Sequence, residues 1–438
     1  MIKFGKKMLQ FNLNEIGKNM YDLMVELYPI CRSITGDGVR KTDKIVSKHI
    51  QLEMHEIKTG IKVFDWTVPK EWNINNAYII SPKGEKIIDF KKSNLYVLGY
   101  STPINAKMSL DELKPHLHTM PEIPNVIPYR TSYYNENWGF CLSHEQFLKL
   151  EPGEYQVFID STLTDGSLTY GEYYLKGKVE DEVLISCYTC HPSLCNDNLS
   201  GVVLATFLAK YLSKMELNYS YRFLFIPETI GAITWLSINK SRISKIKHGL
   251  VATCLGDPGN SVYKKTLHGD DEIDRVVINV LKNSGEPYEI IDFFPMGSDE
   301  RQFCSPGFDL SIGSLMRSPY SFFKEYHTSA DDLNFVQGEY LANTLSKYLS
   351  VIYTLENNKK YLNLNPNCEP QLGKRGIYSS IGGHQYVFDI QDAMIAVLIL
   401  SDGNRSLLDV SDKSNLKFTL IKEAADLLVK HNLLKEII

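Results

Sequence analysis

Residues 187–201, CYTCHPSLCNDNLSG, admit three readings. Cys187, Cys190 and His191 spell CxxCH, a c-type haem attachment pattern. Cys and His at short spacing also suit a zinc knuckle, and His191 followed by Asp197-Asn198 could ligate a catalytic metal. The surroundings of the stretch separate the three.

An apolar run, EVLISCY (182–188), feeds into it, and a helical pattern, LSGVVLATFLAKYLSKM (199–215), leaves it. The same texture repeats downstream in YRFLFIP (221–227), a helix near ITWLSINKS (233–241), GLVATCLGD (249–257), LSIGSLM (310–316) and a long helix from Gly338 to Leu355. Apolar strands alternating with helices predict an α/β fold: a mixed, largely parallel central sheet with helices on both faces. Upstream, Ile16, Met20, Leu23, Met24 and Leu27 recur at helical spacing, and a second helical pattern follows the turn ITGDG from about Val39 to Leu52. Between these regions KVFDWTVP, AYIISPKGEKIIDF, LYVLGYSTP and TSYYNENWGFCLS are short aromatic-rich β runs, which predict an inserted, mostly β subdomain. Beyond the loop NLNPNCEPQLGKRG, the patterns DAMIAVLILSD, LLDVSDK and NLKFTLIKEAADLLVKHNLL resemble a winged helix-turn-helix. The expected domains are thus 1–62 with 154–362 for the α/β fold, 63–153 for the insert and 363–438 for the winged helix.

Composition narrows the function classes. Lys and Arg number 47 against 52 Asp and Glu, a net charge of -5, too even to advertise a polyanion or a membrane surface. From Pro366 onward there are eight basic and nine acidic residues, so the tail lacks the basic face of a DNA reader and is expected to serve docking to a protein or to a second copy of the chain. The start, MIKFGKKMLQFNLNEIG, lacks the apolar core of a signal peptide, and a cytoplasmic location is expected. In that compartment the 8 cysteines stay thiols unless a metal takes them, and haem attachment, which follows export, loses ground. No second CxxC completes a structural zinc site, so Cys187, Cys190 and Cys195 read as small buried hydrophobes.

The catalytic-metal reading gains from where the polar residues fall. Ligands of open α/β sheets sit beyond the carboxyl ends of the strands. There VLISCY leads to His191, with Asp197 before the next helix; FLFIP leads to Glu228, GLVATCLG to Asp257, and the segment after LSIGSLM to His327 in EYHTSADD. An Asp before a helix is ordinarily an N-cap and a lone His is ordinarily structural. Two His, two Asp and one Glu arriving from separate strands instead suit zinc with a water in an open position.

At HPSLCNDNLSG, PETIG, GD, GSDERQF and EYHTSADD the chain resembles the co-catalytic zinc aminopeptidase family, whose relatives include carboxypeptidase-like enzymes and glutaminyl cyclases. More closely it resembles bacterial aminopeptidase-like proteins of uncertain function with an inserted β subdomain and a C-terminal winged helix. The resemblance implies a zinc exopeptidase-like fold, His191 and Asp257 as ligands of a first metal, Asp197 as a bridge, His327 as a ligand of the second, and Glu228 as general base. Where that family has Glu-Glu, this chain has Glu228-Thr229, so one well-defined zinc, held by His191, Asp197 and Asp257, is expected and the second is doubtful.

The implied reaction is zinc-dependent hydrolysis of a peptide or small amide, first of all by an aminopeptidase. Alternatives are an amidase or deacylase acting on an amino sugar or polysaccharide precursor, a setting in which similar proteins occur, and a non-catalytic binding protein. Asp299 and Glu300 are candidates to receive an α-ammonium, Tyr326 to donate to an oxyanion, and Tyr134, in the run Tyr129–Tyr134, to roof the crevice with Trp138, His116 and His118. Arg32 and Arg40, flanking ITGDG, would orient a substrate carboxylate or staple a turn.

Overall fold

The computed structural model describes residues 12–294, 297–377 and 390–437, and the backbone of two short paired strands, Ile2–Phe4 and Lys7–Leu9. Residues 378–389 of the expected winged helix lie outside the described residues. The chain divides into two units, Lys3–Asp274 with Pro287–Ser346, and Arg275–Glu286 with Lys347–Ile438.

An eight-stranded sheet organises the first unit, in the order Tyr288–Ile291, Ser261–Lys264, Ile312–Met316, Ile246–Val251, Glu182–Tyr188, Ser220–Ile226, Ser167–Leu175, Glu53–Lys58. The four middle strands, from Ile312–Met316 to Ser220–Ile226, run parallel, and antiparallel strands continue the sheet on both sides. All seven residues of Glu182–Tyr188 and all seven of Ser220–Ile226 are buried, which explains why EVLISCY and YRFLFIP read as unbroken apolar runs rather than as alternation. Leu184, Tyr188, Leu224 and Ile226 pack with Ile230, Trp235 and Leu236 of the helix Ile230–Ile238. Helix Ser200–Leu212 packs against strand Glu182–Tyr188 and against helix Leu13–Leu27. The latter buries Ile16, Met20, Leu23, Met24 and Leu27, the stripe its spacing dictates, and begins where the Asn12 side chain accepts the Glu15 N–H.

A second, four-stranded antiparallel sheet is built from Lys86–Asp89, Glu71–Ile80, Glu154–Thr164 and Ile104–Ser109, around a core that includes Ile79, Ile88, Phe140, Tyr155 and Val157. From this region a loop reaches the carboxyl ends of the parallel strands. The Tyr129 N–H donates to the His327 carbonyl at 2.7 Å, and Ile127 and Ser329 exchange two further bonds.

In the second unit, strand Lys360–Asn363 pairs antiparallel with Asp402–Ser406 on one side and Leu434–Ile437 on the other. Helices Ile390–Leu400, Leu407–Ser414 and Phe418–Lys430 accompany them, the last burying Phe418, Ile421, Ala424, Ala425 and Leu428 along one stripe. Arg275 donates to Asp409 and Asp412 of the middle helix. Among the described residues no helix is long and apolar enough to cross a membrane.

Charge is buried at the start of two of the parallel strands. Arg222 forks onto Glu182 through Nε and Nη2 at 2.7 and 2.8 Å and reaches Glu172 through Nη1, while Trp235 Nε1 donates to the other Glu172 oxygen. All three charged residues are buried. Removing the cation strands two carboxylates in a low-dielectric interior, so Arg222→Ala is expected to cost about 3–5 kcal/mol, read as a fall in the urea unfolding midpoint.

Candidate functional site

Strand Glu182–Tyr188 delivers the quoted stretch to the carboxyl edge of the parallel strands, and the side chains there divide the work. Cys187 lies inside the sheet, its thiol against the Leu224 carbonyl. Cys187, Cys190 and Cys195 are buried free thiols, and burial raises each well above the usual thiol range in the metal-free chain. His191, 4% exposed, has its Nδ1 3.3 Å from the Cys190 sulfur. A proton on Nδ1, satisfied by that sulfur, leaves the Nε2 lone pair free. Burial, more than the opposing pull of Asp197, lowers His191 to about 4 and keeps it neutral.

Nε2 of His191 faces Asp197 Oδ2 at 3.8 Å, and His327 Nε2 lies 2.9 Å from the same oxygen. Asp197 Oδ1 accepts the Tyr188 hydroxyl, which also lies 2.6 Å from Thr253 Oγ1. Asp197 Oδ2 and His327 Nε2 are buried without a hydrogen-bond partner, because their close approach lacks hydrogen-bond alignment. Two orphaned polar atoms aimed at one point, with a neutral imidazole beside them, are what a cation removes. Tetrahedral zinc sets its ligand atoms about 3.3 Å apart, a value inside the range found here, and two His with one carboxylate and an open position is a catalytic-zinc donor set. Burial opposes the Asp197 charge, but His191, His327 and the Tyr188 hydroxyl outweigh it and hold the carboxyl at about 2.

Glu228 follows strand Ser220–Ile226, with Oε2 3.9 Å from His191 Nε2. Burial, then Asp299 and Asp197, push its carboxyl well above the usual range. Cys190 and Glu228 also gather around His191, a second group of potential ligand atoms that shares the same imidazole.

The geometry corrects the expected ligand set. Asp257 is fully buried, yet both its oxygens are taken by Asn196 Nδ2, the Gly259 N–H, and the Ser318 N–H and hydroxyl, at 2.6 to 3.1 Å. Among the described residues the His191 group contains Asp197 and His327 but not Asp257. Asp197, expected as a bridge, offers one free oxygen, since Tyr188 occupies the other. Glu300 is ion-paired to Lys264 and accepts the Tyr320 hydroxyl, so it does not face a substrate. Asp299 Oδ1 accepts the Thr229 N–H at 2.7 Å while Oδ2 is buried without a partner; burial lifts this carboxyl to about 7.

Tyr326 stacks on His327 at 3.9 Å, and Tyr129, not Tyr134, is the aromatic over the site, 5.3 and 5.2 Å from the two imidazoles. Tyr134 is 49% exposed and stands edge-on to Trp66. His116 stacks on Trp138, and neither it nor His118 joins a cation-binding group among the described residues. Arg32 and Arg40 are staples: Arg32, 1% exposed, donates to the carbonyls of His191 and Leu27, and Arg40 binds Glu56, Glu71 and Asp37.

A family model described as a domain of unknown function, DUF4910, matches residues 21–358. The chain belongs to the DUF4910 family. Residues 359–436 match a winged helix-turn-helix model. A Clostridium acetobutylicum protein, named for a provisional role in polysaccharide biosynthesis and for an aminopeptidase-like domain, is 60% identical over 97% of this chain and 98% of its own. A crystal structure from the same organism, described provisionally as a peptidase, superposes with a TM-score of 0.93 at 58% identity, over 97% of this chain and 98% of that one. BSAP, a zinc aminopeptidase from Bacillus subtilis, shares the fold at 12% identity, with a TM-score of 0.57 over 80% of this chain and 96% of that one.

Two residues of the DUF4910 site escaped the reading of the sequence. Asp331, in EYHTSADD, is fully buried and receives the N–H groups of Asn196 and Asp197 at 2.6 and 2.9 Å, clamping the loop that carries Asp197. Its only signal was the acidic pair Asp331-Asp332 after His327. Tyr188 closes an apolar strand and reads as core until its hydroxyl is seen on Asp197. Gly201 was legible as a helix start but not its necessity: a Cβ there would lie 2.2 Å from the Ala252 carbonyl oxygen.

His191 also sets a pH dependence. The unfolded chain protonates this imidazole near pH 6.5, while the folded, metal-free chain resists until about 4. The His191 contribution is therefore lost as pH falls from 6.5 to 4, a difference of about 3 kcal/mol that His191→Gln lacks, read by urea unfolding of both chelated proteins at each pH.

Proposed function

We propose that this chain is a zinc-dependent amide hydrolase in which His191, Asp197 and His327 hold the ion and Glu228 is the general base. The observation that carries the reading is the convergence of His191 Nε2, His327 Nε2 and the unpartnered Asp197 Oδ2, with Glu228 Oε2 on its margin. Zinc in such a site polarises a carbonyl and brings the pKa of water toward neutrality. The protein's own groups do the rest. Glu228 takes the proton of the attacking water and passes it to the leaving nitrogen, and its raised carboxyl pKa suits a base that must later release that proton. Tyr129 and the loop that carries it screen the imidazoles from solvent. Tyr188 and Asp331 orient Asp197 from opposite ends, the hydroxyl on its carboxylate and the carboxyl on its backbone N–H.

A peptide N-terminus is the first substrate class to test, because the fold is shared with a zinc aminopeptidase and Asp299 Oδ2 is a buried acceptor without a partner. An N-acylated amino sugar is the second, favoured by the name of the 60% identical relative. Zinc-loaded protein is expected to hydrolyse at least one member of a panel of amino-acid anilides and N-acyl amino sugars, and to stop when a chelator is added. Stoichiometric zinc with the whole panel untouched would overturn the reading.

Two variants separate the roles. Glu228→Gln should retain zinc and lose about 10²–10⁴ in kcat. Tyr188→Phe should instead weaken zinc by about 10–100-fold in chelator competition, because Asp197 loses the partner that orients it.

A further inference from the structure

Thr229 sits directly after Glu228 with φ 62 and ψ -75, a conformation costly for a β-branched residue. Two contacts hold it there. Its N–H donates to Asp299 Oδ1 at 2.7 Å, and its Oγ1 accepts from Arg301 Nη2 at 2.8 Å. Among the described residues the guanidinium makes one further contact, Nη1 to the Gly297 carbonyl at 3.4 Å, and no carboxylate lies within 4.0 Å of it.

That is an odd use of a cation. A neutral donor would serve the Thr229 hydroxyl, yet a half-buried guanidinium stands here, with Glu228 and Asp299 acting on it through space but neither paired to it. Glu300 is taken by Lys264 and Tyr320, and Asp299 holds the Thr229 N–H through one oxygen. Of the five guanidinium N–H donors two are in use, and the remainder form a planar fork matched to an oxyanion.

We infer that Arg301 is the recognition residue for a carboxylate carried by the substrate close to its scissile amide. The inference rests on the hydrolase reading of Glu228. A carboxylate fits better than a phosphate, because Glu228 and Asp299 lie near the cation and a dianion would meet more repulsion than a monoanion. The substrate is thus an acidic amide, such as an acyl amino acid, an acidic peptide or an N-acyl sugar acid.

The test compares hippurate, an aromatic acyl amide whose carboxylate is one methylene from the amide nitrogen, with its neutral amide, hippuramide. Titration calorimetry on the zinc-loaded full chain is expected to show hippurate binding about tenfold to a hundredfold more tightly than hippuramide. Arg301→Gln should abolish that preference at unchanged zinc content and circular dichroism, and Arg301→Lys, which keeps the charge without the fork, should retain part of it. Equal binding of the two probes to the unmodified chain would overturn the inference. So would a preference that survives in Arg301→Gln, which would mean that zinc captures the carboxylate, or inorganic phosphate displacing hippurate in an Arg301-dependent manner. Arg301-dependent hippurate binding by a protein that cleaves no amide supports the anion site while sinking the hydrolase reading, so the two fail separately.

Discussion

One carboxylate oxygen organises the carboxyl edge of the parallel strands. Asp197 is fully buried, and its Oδ2 has no hydrogen-bond partner although two imidazoles point at it. A charged oxygen in that condition is costly unless a cation completes it, so the surroundings can be read as devices that keep it there. Tyr188 takes the other oxygen, Asp331 clamps the backbone, and the Cys190 sulfur turns the free nitrogen of His191 toward it. Each of these side chains is inert by itself.

The same arrangement explains why the donor set differs from a two-metal centre. Tyr188 leaves Asp197 a single free oxygen, Asp257 is absorbed in holding Asn196, Gly259 and Ser318, and Thr229 carries no charge. Arg301 brings a positive charge to the hydroxyl of Thr229, beside the general base. A second cation next to that guanidinium would meet repulsion, whereas an anion would meet a fork.

The cysteines of the quoted stretch show how position overrides motif. CxxCH, with two thiols and an imidazole in five residues, places Cys187 in the sheet, Cys190 behind His191 and only His191 at the edge. The strand ends at Tyr188, so Cys187 stays within the sheet while Cys190 and His191 lie beyond it and meet side by side.

Local patterning determined the framework. EVLISCY and YRFLFIP had to be strands covered on both faces, the stripe from Ile16 to Leu27 had to be a helix lying on a core, and the three patterns after Pro366 had to be helices, because burial of apolar surface acts over a few turns or one strand length. It also determined that His191, Asp197, Glu228 and His327 end up near one another, since each follows or flanks an element of a parallel sheet whose carboxyl ends share an edge. Which oxygen of Asp197 stays free, that Asp257 turns to Ser318, that Tyr129 rather than Tyr134 covers the imidazoles, and that Arg301 reaches Thr229 were decided only in three dimensions. Those outcomes depend on hydrogen bonds between residues up to about two hundred positions apart, and no periodicity along the chain encodes which of several polar groups such a bond will choose.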